Sequence, residues 1–153
     1  MKFTVATISD LPDWLEMALA LWPYESKEDM ESLFHTLFAS ENDEMLIART
    51  DEGAAVGFVN ISIRKEYVEG SNSSPVGYIE GIYVKPEFRK QGIAKKFIEL
   101  AEDWSRQRGC TELGSDTEVE NVESQKFHRH IGFAVESQIV HFLKPIERIP
   151  NLK

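Results

Sequence analysis

Residues 77–97 read GYIEGIYVKPEFRKQGIAKKF and contain a strand pattern followed by a helix pattern. β-branched and aromatic residues at the start predict a strand, which Lys85-Pro86 ends. From Ile93 onward, apolar residues recur at helical spacing and predict a helix. A further strand is predicted at 110–117. This strand–helix–strand crossover predicts a mixed α/β sheet with helices on its faces, because parallel strands need such a connection.

Outward from this crossover, alternating and helical patterns cover most of the chain. Ser26 begins a capping-box pattern and Asn121 precedes a short helical pattern, so each predicts a helix start. No repeat or linker-like tract divides the sequence, which predicts one domain over residues 1–153. The predicted order is β-α-α-β-β-β-α-β-α-β, with strands at 3–8, 45–50, 54–64, 77–84, 110–117 and 135–143.

The composition excludes several classes of protein. The chain has 153 residues, a formal net charge of −9 and one cysteine, Cys110. A single cysteine excludes a disulfide framework and a cysteine-based zinc cluster, and we expect no metal. The N-terminus lacks an apolar signal region, and no stretch approaches the ~18 apolar residues of a membrane span. We therefore expect a cytoplasmic protein with no membrane or nucleic-acid partner.

Charge is distributed unevenly along the chain. Residues 1–76 carry a net charge of −9, residues 77–153 carry none, and the segment 85–96 carries +4. An acidic half attracts cations, and a compact basic segment suits a small anionic group. Solvated surface of uneven composition is the alternative interpretation.

The basic segment contains the clearest binding motif, Arg89-Lys90-Gln91-Gly92-Ile93-Ala94. The first amides of a helix lack partners, and the helix dipole adds positive charge there. Gly92 and the small Ala94 let an anion approach closely, which predicts a pyrophosphate site. The spacing excludes a P-loop and a dinucleotide-binding fingerprint, because neither Gly-Lys-Ser/Thr nor a second turn glycine follows. An ordinary helix start is the alternative.

The same loop, together with Asn121-x-x-Ser124-x-x-Phe127-His128-x-x-x-Gly132-Phe133, resembles the GCN5-related N-acetyltransferase (GNAT) superfamily. The resemblance covers the whole chain and implies a mixed sheet splayed between strands four and five. It also implies acetyl-CoA as co-substrate, with its pantetheine arm lying along strand four. The implied acetyl-CoA-binding residues are Ile82, Tyr83, Val84, Arg89, Lys90, Gln91, Gly92, Ile93, Ala94 and Asn121.

A closer resemblance is to the aminoglycoside 6′-N-acetyltransferases, through the segments 78–84 and 114–117 and the pair Trp22-Pro23. It implies that a homodimer transfers an acetyl group to the 6′-amine of an aminoglycoside antibiotic and so confers resistance. The implied substrate contacts are Trp22, Tyr67, Glu80 and Asp116. A further acid is expected after Gly132-Phe133, where Glu136 is the nearest acid and Ser137 is the alternative aligned position.

Glu80 and Asp116 are the candidate catalytic carboxylates. An aminoglycoside is a polycation, so its pocket must present anions. Glu80 lies within an apolar strand, and Asp116 ends the neighbouring strand, where crossover sheets place their ligands. Either carboxylate can accept the proton that the substrate ammonium loses in a ternary complex, and a backbone N–H near 82–84 can stabilise the oxyanion. Surface alternation for Glu80 and a turn cap for Asp116 are the alternatives.

Other polar residues and other functions remain as alternatives. His128 takes the position at which many superfamily members place a tyrosine general acid, and a surface histidine is the alternative. His128 and His130 are two residues apart on a helix and make a poor metal pair. Cys110 is expected in the core. The competing functions are acetylation of a polyamine or peptide and non-catalytic binding of acetyl-CoA.

Overall fold

A computed structural model describes residues 1–150, and its strands form one sheet in the order β1-β2-β3-β4-β5. The first three neighbouring pairs are antiparallel, and β4 and β5 are parallel, as the predicted crossover requires. Gly53, with φ 97°, closes the turn between β2 and β3 in a conformation that favours glycine. The strands are β1 Lys2–Val5, β2 Asp43–Arg49, β3 Ala55–Arg64, β4 Val76–Val84 and β5 Leu113–Ser115.

Helices cover both faces of this sheet. Ser26 Oγ accepts the N–H of Asp29 at 3.1 Å, and the Asn121 side chain accepts that of Ser124 at 3.1 Å. Both predicted caps are therefore confirmed. Within residues 1–150, no helix has the length and apolar character of a membrane span. The helices are α1 Leu11–Leu21, α2 Lys27–Ala39, α3 Ile93–Arg106 and α4 Val122–His130.

Strand alternation divides the core between the two faces of the sheet. On one face, Trp14 of α1 and Phe34 of α2 pack with Phe58 of β3, and all three side chains are fully buried. On the other face, Phe97 of α3 packs in a cluster with Val59 of β3. Burial of each such side chain contributes roughly 1.5–3 kcal/mol. We call the first of these surfaces the α1–α2 face.

β4 carries a β-bulge at Glu80. Ile79 pairs with Ile61 of β3 and Gly81 pairs with Asn60, so Glu80 is an extra residue between two paired positions. The extra residue inverts the alternation of the strand. Glu80 and Gly81 both face the α1–α2 side as a result, and a Cβ on Gly81 would point into the ring of Trp22.

β4 and β5 separate after a short paired stretch. Residues 77–79 pair with 113–115, and β4 then continues to Val84 without a described partner on that side. β5 is accordingly shorter than the predicted strand at 110–117. The splay between strands four and five is confirmed, and it leaves the second half of β4 with an open edge.

The predicted last strand at 135–143 is not present. Residues 134–149, which we call the C-terminal arm, have no regular secondary structure and are exposed throughout. A β-strand needs a neighbouring strand to satisfy its backbone N–H and C=O groups. No described strand pairs with the arm, so its alternating pattern does not produce a strand within this chain.

Candidate active site

The loop before α3 forms a cradle for an anion. Lys90 and Gly92 have φ values of 61° and 82°, which turn the backbone sharply just before Ile93. The N–H groups of the first helical turn lack intrahelical partners and point into this turn. A Cβ on Gly92 would meet no atom within 4 Å, so a phosphate group has access to these donors. The residues present therefore fit the pyrophosphate of acetyl-CoA.

Arg89 ties this loop to the end of β4. Its Nε donates to the Val84 carbonyl at 2.9 Å, and its guanidinium lies 5.8 Å from the centroid of the Tyr83 ring. Lys90 and Gln91 are exposed beside it. The predicted pyrophosphate residues 89–94 thus form the loop and the start of α3, in which Arg89 serves as an anchor and the first helix amides are the available donors.

The open edge of β4 presents backbone groups toward the splay. The Lys85 N–H donates to the Val56 carbonyl of β3 at 2.9 Å. Because N–H groups alternate between the two edges of a strand, those of Ile82 and Val84 point away from β3 and toward the open edge. The predicted pantetheine segment, 82–84, therefore has free donors where an extended ligand can pair with it.

Glu80 is held by two residues of β3. Arg64 donates through Nε to Oε1 at 2.9 Å and through Nη2 to Oε2 at 2.7 Å. Ser62 Oγ donates to Oε1 at 2.6 Å. The hydrogen bonds to Glu80 raise the pKa of Arg64, so its guanidinium remains charged. Glu80 is therefore one half of a bidentate ion pair, which surface alternation alone did not predict.

Asp116 lies one residue beyond β5 and accepts a hydrogen bond from the Tyr78 hydroxyl. Burial, together with this bond to a carboxylate, raises the pKa of Tyr78 above its usual value. The Arg64 guanidinium stacks over the same tyrosine ring, 3.4 Å from its centroid. Glu80, Arg64, Tyr78 and Asp116 thus form one connected set on the α1–α2 face, which we call the carboxylate network.

Trp22 lies at the C-terminal end of α1 and packs against β4. A Cβ on Gly81 would approach the Trp22 ring to 2.6 Å, so only glycine allows this contact. The ring centroids of Trp22 and Phe58 are 6.1 Å apart, and Trp22 is half-buried. The predicted substrate contact therefore lies next to Glu80 along β4, with one side of its ring packed on the core.

Tyr67 and Glu136 lie farther out, on the loop of residues 65–75 and on the C-terminal arm. Tyr67 is 76% exposed. A Cβ on Gly70 of this loop would approach Glu136 Cγ to 2.5 Å, so Glu136 packs against the loop. Neither side chain has a described hydrogen bond to the carboxylate network. The loop itself is fixed by Glu112, which accepts from Asn72 N–H at 2.8 Å.

His128 is half-buried rather than a free surface histidine. Its Nδ1 lies 2.7 Å from the Ser124 carbonyl and its Nε2 lies 2.8 Å from Ser115 Oγ. Donation from Nδ1 to the carbonyl leaves Nε2 to accept the Ser115 hydroxyl hydrogen. His128 therefore joins α4 to the end of β5, one residue before Asp116. Asn121, predicted to contact pantetheine, caps the same helix.

Sequence patterns missed three members of this site, Ser62, Arg64 and Tyr78. Ser62 and Arg64 are two residues apart on β3, and this spacing placed them on one face. Their proximity to Glu80 depends on the register that pairs Ser62 with Tyr78, and a pattern within one strand does not give the register between two strands. Tyr78 was noted as part of a motif without a role of its own.

Comparison with known proteins assigns the chain to a class. A model of the acetyltransferase (GNAT) family matches residues 11–133, and the chain belongs to this family. The resemblance found in the sequence is confirmed. Acetyl-CoA is the acetyl donor used in this family, and the anion cradle and open β4 edge fit it.

The names of individual relatives are more specific than the name of the family. An aminoglycoside N(6′)-acetyltransferase type 1 from Serratia marcescens is 39% identical over 90% of this chain and 94% of its own length. The structure of an aminoglycoside 6′-N-acetyltransferase from Acinetobacter haemolyticus has a TM-score of 0.91 and 39% identity, over 96% of this chain and all of that one. The enzyme AAC(6′)-Iy, in complex with the bisubstrate analogue CoA-S-monomethyl-acetylneamine, has a TM-score of 0.89 and 34% identity, over 95% of this chain and 98% of that one.

Proposed function

We propose that this chain transfers an acetyl group from acetyl-CoA to the 6′-amine of an aminoglycoside antibiotic and so confers resistance. The observation that carries the proposal is the position of the carboxylate network. Glu80 belongs to the strand whose open edge suits pantetheine, and Asp116 follows the strand that splays from it. A cationic amine held by these carboxylates lies beside the splay. The named relatives support the same substrate class.

Acetyl-CoA, when bound, supplies a thioester carbonyl as the acetyl donor. The amides at the start of α3 hold its pyrophosphate, with residues 89–94 forming the turn and Asn121 at the pantetheine arm. The outward N–H groups of Ile82 and Val84 pair with the extended arm and with the thioester oxygen. These contacts fix the carbonyl in front of the substrate amine.

Asp116 is the proposed acceptor of the substrate's proton. Glu80 is already compensated by Arg64, whereas the described hydrogen bond to Asp116 comes from a neutral phenol. Among the described residues no cationic side chain bonds to Asp116, so this carboxylate is open to an incoming ammonium. In this proposal Glu80 orients the substrate through the acceptor position that Arg64 and Ser62 leave open. Trp22 and Tyr67 flank the sugar rings, and Glu136 reaches the substrate from the arm. CoA leaves as a thiolate when the C–S bond breaks, and an ordinary thiol pKa of about 8.5 allows this without a strong acid; the thiolate then takes up a proton from solvent.

We propose that the working form is a cytoplasmic homodimer of one-domain chains spanning residues 1–153. The C-terminal arm exposes large apolar side chains, including Phe142 at 92% and Leu143 at 98%. Among described strands, β5 pairs only with β4 and leaves its other edge open. One copy therefore offers both an alternating apolar segment and an edge that can receive one from a second copy. The buried, unpaired Cys110 suits a reducing compartment.

Thiol release from acetyl-CoA tests the proposed activity. We expect turnover with kanamycin A and none with paromomycin, which carries a 6′-hydroxyl in place of the amine. Asp116→Asn is expected to lower kcat/KM for kanamycin A by about a hundredfold, in the range of lost general base catalysis. Asp103→Asn on the exposed face of α3 is the matched control and should leave kcat/KM unchanged. Turnover with spermidine or peptides but with no 6′-amino aminoglycoside would contradict the proposal.

A further inference from the structure

Arg64 is a positive charge at the centre of a site proposed to receive cations. Its guanidinium binds Glu80, and its Cζ atom lies over the Tyr78 ring, 3.4 Å from the centroid. The side chain is 41% exposed, so it faces the solvent from which a substrate arrives. An exposed cation in this position opposes the binding of an ammonium, so Arg64 affects which cations the site accepts.

The hydrogen bonds of Glu80 show how Arg64 acts on this site. Its two oxygens accept two bonds from Arg64 and one from Ser62. A carboxylate has about four acceptor positions, so three are already occupied. The Arg64 fork therefore takes the place that a substrate ammonium would occupy on Glu80. The Arg64–Glu80 pair is neutral, and within the carboxylate network the remaining negative charge belongs to Asp116.

We propose that Arg64 is a specificity-determining residue, whose guanidinium occupies an ammonium position on Glu80 and so limits how strongly the pocket responds to each additional positive charge on the substrate. The inference rests on the proposed function, because it takes an aminoglycoside as the substrate. Without Arg64, the network carries two negative charges instead of one. A substrate with one more ammonium then gains more from binding than it does in the wild-type protein.

Kanamycin A and kanamycin B provide a matched pair of probes, since they differ only in a 2′-hydroxyl or a 2′-amine. The measured quantity is the ratio of the KM for kanamycin A to the KM for kanamycin B. Arg64→Met, which keeps much of the apolar stem on Tyr78, is expected to raise this ratio roughly threefold or more. Arg64→Lys keeps the charge and is expected to return the ratio toward the wild-type value.

Arg106→Met is the control variant, because it removes one charge from the exposed surface of α3 and leaves the network intact. It should leave the ratio unchanged. A folded Arg64→Met protein with the wild-type ratio and a lower kcat would overturn the inference, because a purely structural role has that signature. If circular dichroism shows that Arg64→Met does not fold, Glu80→Gln tests the same point. It leaves Arg64 uncompensated and should lower the ratio, and an unchanged ratio overturns the inference.

Turnover of kanamycin A by the wild-type protein in the same assay tests the proposed function separately. Absence of wild-type turnover contradicts the proposed function. Normal wild-type turnover, with a KM ratio that Arg64→Met does not change, contradicts only the role of Arg64.

Discussion

Tyr78 shows how a residue without reactive chemistry of its own can organise this site. Its ring supports the Arg64 guanidinium, and its hydroxyl donates to Asp116. A phenol is protonated throughout the neutral range, and burial together with the bond to Asp116 raises the pKa of Tyr78 further, so its hydroxyl remains a donor. The two candidate carboxylates are therefore linked through one side chain, although they come from different strands.

Removal of the Tyr78 hydroxyl is expected to disorder Asp116 without unfolding the protein. A hydrogen bond to a charged group contributes about 1.5 kcal/mol or more, so Tyr78→Phe should lower kcat/KM for kanamycin A about tenfold or more. The KM for acetyl-CoA should not change, because the anion cradle is untouched. Steady-state kinetics with each substrate varied in turn gives both values.

Tyr24→Phe is the control for this prediction, since Tyr24 is fully exposed. Wild-type efficiency in the Tyr78→Phe protein would mean that the hydroxyl does not orient Asp116.

At the residue scale, sequence patterns found the two carboxylates but not the partner that compensates one of them. Alternation along a strand predicts which residues share a face, but it does not predict which residues of the neighbouring strand lie opposite them. Register between strands is a nonlocal property, and the bulge at Glu80 changes it by one residue. The Arg64–Glu80 pair follows from that register and so could not be derived from spacing.

At the scale of elements, an ion pair fastens the start of α1 to the sheet. Asp10 lies immediately before α1 and accepts hydrogen bonds from the Thr7 N–H and from Arg49 of β2. Burial opposes the ionisation of Asp10, but these two donors outweigh it and hold its pKa below the usual value. The carboxylate therefore stabilises the folded state when it is charged.

Asp10→Asn is expected to lower the free energy of unfolding by about 1–2 kcal/mol at neutral pH. The folded-state pKa is depressed, so the stabilisation is complete above the unfolded pKa of about 3.9 and is lost as the pH falls below it. Urea unfolding at pH 7 and near pH 3 should therefore show a difference that narrows on acidification. Asp103→Asn, at an exposed pair on α3, should cost little at either pH. A loss that does not change with pH would contradict the electrostatic origin.

The elements with caps or long periodic patterns were predicted closely. α2 and α4 begin at their predicted caps, and β3 and β4 occupy nearly the predicted residues. The strand predicted at 135–143 differs because a pattern of alternation expresses the capacity to pair and does not supply a neighbour. The lack of a neighbouring strand for residues 135–143 within one described chain is the physical reason for expecting a second copy of the chain.

At the scale of the whole molecule, the acidic half of the sequence is not the part that supplies the candidate carboxylates. The acidic segment 1–76 contributes Arg64 to the carboxylate network, whereas the electrically neutral segment 77–153 contributes Glu80 and Asp116. Several acids of the first segment form ion pairs elsewhere, such as Glu16 with Lys85 at 3.0 Å. Net charge along the chain therefore says little about which side chains meet in the site.

The C-terminal arm allows a test of assembly at this scale. Replacement of both Phe142 and Leu143 by serine removes two large exposed apolar side chains, and burial of each is worth about 1.5–3 kcal/mol. We expect the dissociation constant of the dimer to rise more than tenfold. Light scattering after size exclusion should give twice 17.5 kDa for the wild-type chain and a lower mass for the variant.

Val119→Ser, at an exposed apolar position outside the arm, should leave the dimer intact. A monomeric wild-type chain at tens of micromolar, or a variant that stays dimeric, would contradict the proposed assembly.

The bulge in β4 lets one strand carry an additional side chain for one substrate without changing how it meets the other. Ile79 and Gly81 already lie opposite the adjacent residues Ile61 and Asn60, so deletion of Glu80 alone would remove the bulge and leave the later pairs unchanged. Tyr83 would stay on the α1–α2 face, and Ile82 and Val84 would stay in the cluster with α3. The backbone N–H groups along the open edge would keep their directions as well. Insertion or loss at this one position therefore alters the binding groups for the amine independently of those for acetyl-CoA.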